Sequence, residues 1–129
     1  MESNFKTEII SPEEIIYSGD VEEVVVPGIE GEMTILSGHI PLITFLRPGI
    51  IKINGNKEIQ YFLDEGTVEF LNNNLTILSS TIIEISALSK EKLSDMIEES
   101  KKQLNDENLN DKTRYIISHK IDCLSRISL

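Results

Sequence analysis

The sequence predicts an α+β fold, a β-rich sandwich or barrel followed by a two-helix antiparallel hairpin. Three observations carry this. Short apolar runs separated by turn residues, at intervals of roughly 8–12 residues, fill the chain to about residue 85. At Ser86 the apolar period changes from that of strands to that of helices. Charge changes there too: residues 1–85 hold 4 Lys/Arg against 14 Asp/Glu, whereas residues 86–129 hold 8 of each. The expected units are a β domain over 1–86 and a helical hairpin over 87–129.

The strands are expected in turn. A first strand, 5–10, ends at Ser11-Pro12, and 14–17 closes on Ser18-Gly19-Asp20. The β-branched run 21–26 stops at Pro27-Gly28. From Pro27 to Pro48 the turn residues are densest, leaving room only for strands 33–36 and 42–46. Such a segment holds a polar tip at Glu30, Gly31 and Glu32 and a loop from Ser37 to Pro41 on a rigid base. Strand 50–53 meets Asn54-Gly55-Asn56, a hairpin signal, and the return strand 59–63 alternates apolar and polar residues until Phe62. Runs 68–71, 75–78 and 82–85 complete the set, with Asn72-Asn73-Asn74 between the first two. All four prolines fall outside the strand interiors drawn this way.

The helices follow. Ser89 is placed to cap a helix through about Leu104, with Leu93, Met96, Ile97, Ser100 and Leu104 on one face and Lys and Glu opposite. Asp111 is placed to cap a second, on which Ile116, Ile117, Lys120, Cys123, Leu124 and Ile127 recur at helical spacing. Each spans about four turns and would be marginal alone in water, so the hairpin draws its stability from contact and is the segment readiest to move.

Composition narrows the function. With 40% hydrophobic and 26% charged residues the chain buries a modest core of Ile, Leu and Val, and Trp is absent. A net charge of −10 argues against nucleic-acid binding, which needs a basic footprint. The single Cys123, set among Ile121, Leu124 and Ile127, reads as a packed, reduced thiol, and two histidines are too few for most metal cages. No apolar run approaches the ~20 residues of a membrane span, and the first ten residues lack the pattern of a signal or transit peptide. A soluble chain in a reducing compartment is expected, attached to any membrane through partners.

Catalytic signatures are missing: no phosphate loop, dinucleotide fingerprint, zincin helix or nucleophile elbow occurs. His39 reads as a loop histidine bonded to backbone, and His119, on a charge-rich helix, as solvent-facing. Glu22 and Glu23, as neighbours on a strand, point to opposite faces and cannot share a substrate. No cofactor and no enzymatic activity are expected.

The order of short motifs adds a family. I-I-S-P-E at 9–13, Y-S-G at 17–19, V-E-E-V-V-V-P-G at 21–28 and E-G-E at 30–32 are followed by S-G-H-I-P-L at 37–42 and R-P-G at 47–49. G-T-V-E-F at 66–70 and N-N-L-T-I-L at 73–78 close the series. In this order the chain resembles the epsilon subunit of F-type ATP synthases over nearly its whole length. The resemblance implies a ten-stranded β-sandwich followed by two α-helices, in a non-catalytic central-stalk subunit of the rotor. It implies that the sandwich clamps the foot of the gamma subunit and rests on the c-ring, coupling ring rotation to ATP synthesis. The complex it implies sits on the cytoplasmic face of a bacterial inner membrane, with this chain peripheral and not inserted. By position, Glu30, Gly31, Glu32, His39, Pro41 and Leu42 belong to the ring- and gamma-facing loops, with Glu32 and His39 foremost.

The resemblance also implies that the hairpin can leave the sandwich, reach the alpha/beta catalytic head and impede hydrolysis. Residues 109–129 carry Lys112, Arg114, Lys120 and Arg126 against Asp111 and Asp122, an excess suited to an acidic surface. Some members of the family bind ATP through I/L-D-x-x-R-A; the aligned run here, L-S-K-E-K-L at 88–93, lacks the Asp, Arg and Ala, so no specific ATP binding is expected. Thr34 and the pair Asp64-Glu65 stand where the family favours small residues. Two other readings compete, a β-sandwich adaptor of another complex and an ATP-sensing regulator; co-purification with a membrane ATPase separates the first, nucleotide titration the second.

Overall fold

A computed structural model describes residues 3–129; Met1 and Glu2, with which the expected β domain opens, lie outside the described residues. Ten strands form one continuous sheet: β1 (Phe5–Ile10), β2 (Ile15–Val21), β3 (Glu23–Gly28), β4 (Gly31–Leu36), β5 (Leu42–Leu46), β6 (Gly49–Asn54), β7 (Glu58–Leu63), β8 (Gly66–Leu71), β9 (Asn74–Leu78) and β10 (Ile83–Glu84). A 3₁₀ turn, Ile85–Ala87, leads to α1 (Lys90–Gln103) and α2 (Asp111–Ser125).

The strand order is β10-β7-β6-β3-β5-β8-β9-β1-β2, with β4 paired to the other edge of β3. All pairs are antiparallel except β1 with β9. Strand β3 is the fold line. Its residues Glu23, Val24 and Val25 pair with β6, and Gly28 pairs with Leu46 of β5. Pro27 sits in the gap and accepts the Arg47 amide at 3.0 Å, on the side where its own missing N–H would point. The expectation that every proline lies outside a strand is therefore corrected. Pro27 is tolerated inside β3 because no ladder donor is needed where the partner changes.

Folded there, the sheet encloses one core. Val24, Val26, Ile35, Ile51, Ile53, Tyr61 and Leu63 meet Phe5, Ile9, Val21, Leu46, Val68, Phe70, Leu75 and Ile77. These fully or nearly fully buried side chains, mostly aliphatic with Phe5, Tyr61 and Phe70 among them, make the sandwich, a buried Val, Leu, Ile or Phe being worth about 1.5–3 kcal/mol of transfer free energy.

Several boundaries differ from the sequence expectation. Strand β2 runs through Ser18-Gly19-Asp20, expected as a turn, because those residues pair across with Glu8, Thr7 and Lys6. The run 21–26 is two strands, since Glu22 breaks it and its amide bonds Asn54. The last run, 82–85, keeps only Ile83 and Glu84 as strand. Asn54 is in the β6–β7 ladder, so that hairpin turns on residues 55–57 rather than on an Asn-Gly pair. The two-residue turn belongs instead to Asn72 and Asn73, both at positive φ (52° and 59°), between paired Leu71 and Asn74. Ser89 caps α1 as expected, accepting the Lys92 amide at 3.0 Å. Helix α2 is capped by Asn110, through its Oδ1 to the Thr113 amide at 2.7 Å, and Asp111 is its first residue.

The hairpin lies on the outer face of β6, β7 and β10. Phe62, Leu93 and Leu124 are buried at the junction, with Ile50, Ile83, Ile85, Met96, Ile97, Cys123 and Ile127 around them. Ser100, buried between the helices, satisfies its hydroxyl on the Met96 carbonyl at 2.9 Å.

Candidate functional site

Three surfaces hold the residues singled out by sequence. The first is the free edge of β4. The turn that carries Glu30 joins β3 to β4, and Gly31 there takes φ +141°, where an L side chain is strained. At the other end of β4 the 37–41 loop turns back into β5, with Gly38 at φ +80°. The two loops therefore lie at opposite ends of the six-residue β4, about 17 Å apart along the strand. Between them a concavity of about 340 Å³ is lined by Glu30, Gly31, Glu32, Met33, Leu42 and Thr44. Four of the six expected contact residues thus share this concavity, while His39 and Pro41 sit in the loop beyond it.

His39 is half-buried and held. Its ring packs edge-on against the core residue Phe70, centroids 5.7 Å apart, and its Nδ1 lies 2.7 Å from the Ile40 carbonyl. A backbone-bonded loop histidine is what sequence suggests, and that is the geometry. Ile40, beside it and outside the six contact residues that the resemblance implies, is 75% exposed.

The second surface is the outer face of β5. Leu42 and Leu46 turn inward, so alternation puts Ile43 and Phe45 outward, 75% and 68% exposed. Ile29, whose amide bonds the Phe45 carbonyl at 3.0 Å, and Leu78 extend this apolar area. It continues into a groove of about 800 Å³ that runs beneath Ile116 and Lys112 of α2. The sequence carries no signal for this face, since L-I-T-F-L is apolar on both sides and its one polar residue, Thr44, lies on the inward one.

The third surface is the seam between α2 and the sandwich. Lys120 Nζ meets Asp64 Oδ1 at 2.8 Å, and Arg47 Nη1 donates to the Tyr115 hydroxyl at 3.3 Å. Arg114 donates to the carbonyls of Leu104 and Asp106 at 3.0 and 3.3 Å, tying the end of α1 to α2. Lys112 and Arg126 are exposed. Of the four cations expected to serve as a basic face, two are thus engaged within the folded chain. Asp64 is the acceptor for Lys120; nothing in the structure explains Thr34, which is exposed.

His119 belongs to this seam rather than to solvent, correcting the expectation. Its Nε2 lies 3.5 Å from Cys123 Sγ, which also reaches the Pro48 carbonyl at 3.7 Å. A Cys–His contact suggests a nucleophile and its base, but the electrostatics run the other way. Burial pushes the Cys123 thiol up, and burial with the Arg47 guanidinium pushes the His119 imidazole down. Both groups are driven toward their neutral forms, the reverse of a thiolate–imidazolium pair. Among the described residues no group of three His, Cys, Asp or Glu could hold a metal, and no helix is long and apolar enough to cross a membrane.

Residues 4–85 match the family described as the β-sandwich domain of the ATP synthase delta/epsilon chain. The chain is 42% identical to the ATP synthase epsilon chain of Pelagibacter ubique (strain HTCC1062), over 99% of this chain and all of that one. The chain belongs to the ATP synthase epsilon family. The epsilon chain of Rhizobium etli (strain CIAT 652) is 36% identical over 82% of this chain and 80% of its own. The fold is shared with a chain of the Euglena gracilis mitochondrial ATP synthase (TM-score 0.75, 19% identity, 97% of this chain and 79% of that one). It is shared also with a chain of the Tetrahymena thermophila central stalk and c-ring (TM-score 0.66, 12% identity, 94% and 93% covered). As a family member the chain is a subunit of ATP synthase in the epsilon role. The family match ends at Ile85, where the 3₁₀ turn begins and the helical hairpin follows.

Proposed function

We propose that this epsilon-family chain is a non-catalytic rotor subunit that joins the gamma shaft to the c-ring on the cytoplasmic face of a bacterial membrane. The observation that carries the reading is the outward pair Ile43 and Phe45, 75% and 68% exposed on a strand whose other residues pack inward. Two large apolar side chains on a well-ordered strand face suit a docking surface, and a subunit shaft is the occupant this family calls for. The β4 edge faces the ring: Glu30, Gly31 and Glu32 touch it at one end, His39 and Pro41 at the other, with Leu42 in the concavity between. Its role is a fixed polar rim with the apolar tip of Ile40, and no proton transfer is needed. The unit 1–86 makes these contacts, and the unit 87–129 regulates.

Regulation rests on the seam. The folded hairpin keeps Lys120 paired with Asp64. When α2 leaves the sandwich, Lys120 joins Lys112, Arg114 and Arg126 as the basic face that meets the acidic alpha/beta head and slows hydrolysis. No bound ATP sets this balance, since the 88–93 run lacks the ligating Asp and Arg.

The reading is tested by the double variant Ile43→Lys, Phe45→Lys. It should keep the circular dichroism and Tm of the parent yet fail to join an epsilon-depleted, gamma-containing complex. Assembly at parental affinity would refute the shaft-facing role of β5.

A further inference from the structure

The geometry points to Asn73 as the positioning residue that presets the 37–41 loop for its partner. This rests on the reading above that the loop touches the ring. Asn73 is the second residue of the two-residue β8–β9 turn, at φ 59°, and its side chain is thrown across to a loop 35 residues away in sequence. Its Oδ1 accepts the Gly38 amide at 2.9 Å and lies 3.5 Å from Ser37 Oγ. Its Nδ2 donates to Ser37 Oγ at 3.2 Å and to the Asn4 carbonyl at 3.3 Å. Its own carbonyl accepts the Lys6 amide at 3.3 Å. One side chain therefore ties two separate segments, the loop and the residue before β1, to the β8–β9 turn that carries it.

The loop needs such a tie. Gly38 takes a φ of +80° that its own sequence does not enforce, and the bond from the His39 amide to the Leu36 carbonyl, 3.0 Å, is a short-range one. Ile40 and Pro41 are exposed, so packing does not fix them. Asn73 on one side and the His39 ring against Phe70 on the other both tie the loop to the rigid core. A loop held in its docking shape loses less conformational entropy when it meets its partner, and passes torque without yielding.

The test separates backbone from side chain. Asn73→Gly keeps the positive φ but removes all four side-chain contacts; Asn73→Asp keeps the acceptor for the Gly38 amide and loses the donor to Asn4. In the full chain, Asn73→Gly should speed amide exchange at Gly38 by about tenfold while exchange at His39 changes little; Asn73→Asp should stay near the parent. In membrane vesicles carrying the complex, Asn73→Gly should lower ion pumping per ATP hydrolysed, and Asn73→Asp should rescue it. Parental Gly38 exchange in Asn73→Gly overturns the proposal. So does parental pumping by Asn73→Gly where Ile40→Asp lowers pumping, which leaves the loop contact standing. Parental pumping by both Asn73→Gly and Ile40→Asp overturns the loop contact as well.

Discussion

Phe62 points away from the sandwich core, yet only 1% of its surface is exposed, because the hairpin covers it. Phe62→Ala removes the centre of that junction and should cost about 3–5 kcal/mol of docking free energy. Hydrogen exchange should show α1 and α2 opening while β1–β9 stay protected; uniform loss of protection would contradict this. His119 sets the pH limits of the same seam. Its folded pKa lies below the usual 6.5 because burial, then the cations Arg47 and Arg126, disfavour the imidazolium against the opposing pull of Asp122. The unfolded chain binds more protons just below pH 6.5, so stability falls as pH drops through that value toward the folded pKa. His119→Gln should flatten the acid side of a Tm-against-pH curve measured between pH 5 and 7.5; an unchanged slope would place the dependence elsewhere. At the alkaline end the sign reverses. Tyr61, pushed up to about 12 by burial and then by Glu84 and Tyr17, contributes stability that is present below pH 10 and lost as pH rises toward 12.

At the scale of elements, α1 and α2 have 14 and 15 residues, too short to persist alone, and their attachment is an apolar patch fringed by polar ties. The Lys120–Asp64 pair is partly exposed, its side chains 18% and 36% accessible, so it contributes on the order of 1 kcal/mol or less. That is still enough to shift a two-state balance several-fold. Asp64→Asn should therefore populate the undocked hairpin and lower the hydrolysis rate of the assembled complex. Hydrolysis above the parent would argue that the docked hairpin, not the free one, is the brake, and hydrolysis equal to the parent would remove the Lys120–Asp64 pair from the balance. Removing residues 89–129 should raise hydrolysis, and pairing the truncation with Phe62→Ser keeps the uncovered patch soluble. Much of this was legible in the sequence. Phe62 breaks the alternation of its strand, and Ser89 caps where expected; the outward Ile43 and Phe45 do not follow, because L-I-T-F-L is apolar on both faces. Other features were not. Pro27 enters a strand only because β3 changes partner there, and Asp64 meets Lys120 across 56 residues of chain. Asn73 likewise acts on a loop that no local pattern links to it. Such features depend on which elements the sheet brings together, and short-range periodicity carries no trace of them.

Across the whole molecule, three surfaces are kept apart on one small scaffold. The β6–β7–β10 face is occupied by the hairpin, the β5 face presents Ile43 and Phe45, and the β4 edge carries the two loops. The folded sheet makes this separation rigid, since β3 belongs to both layers and fixes the β4 edge relative to β5. The proposed joining of shaft and ring needs that rigidity, and the proposed brake needs mobility only in the hairpin. The central claim is association with the shaft. Its most direct measurement is calorimetric titration of this chain into an epsilon-depleted, gamma-containing catalytic complex, with hydrolysis assayed on the same samples. Saturable binding at one chain per complex, with hydrolysis falling in step, is the predicted result. No saturable heat with a matched complex would contradict the rotor assignment.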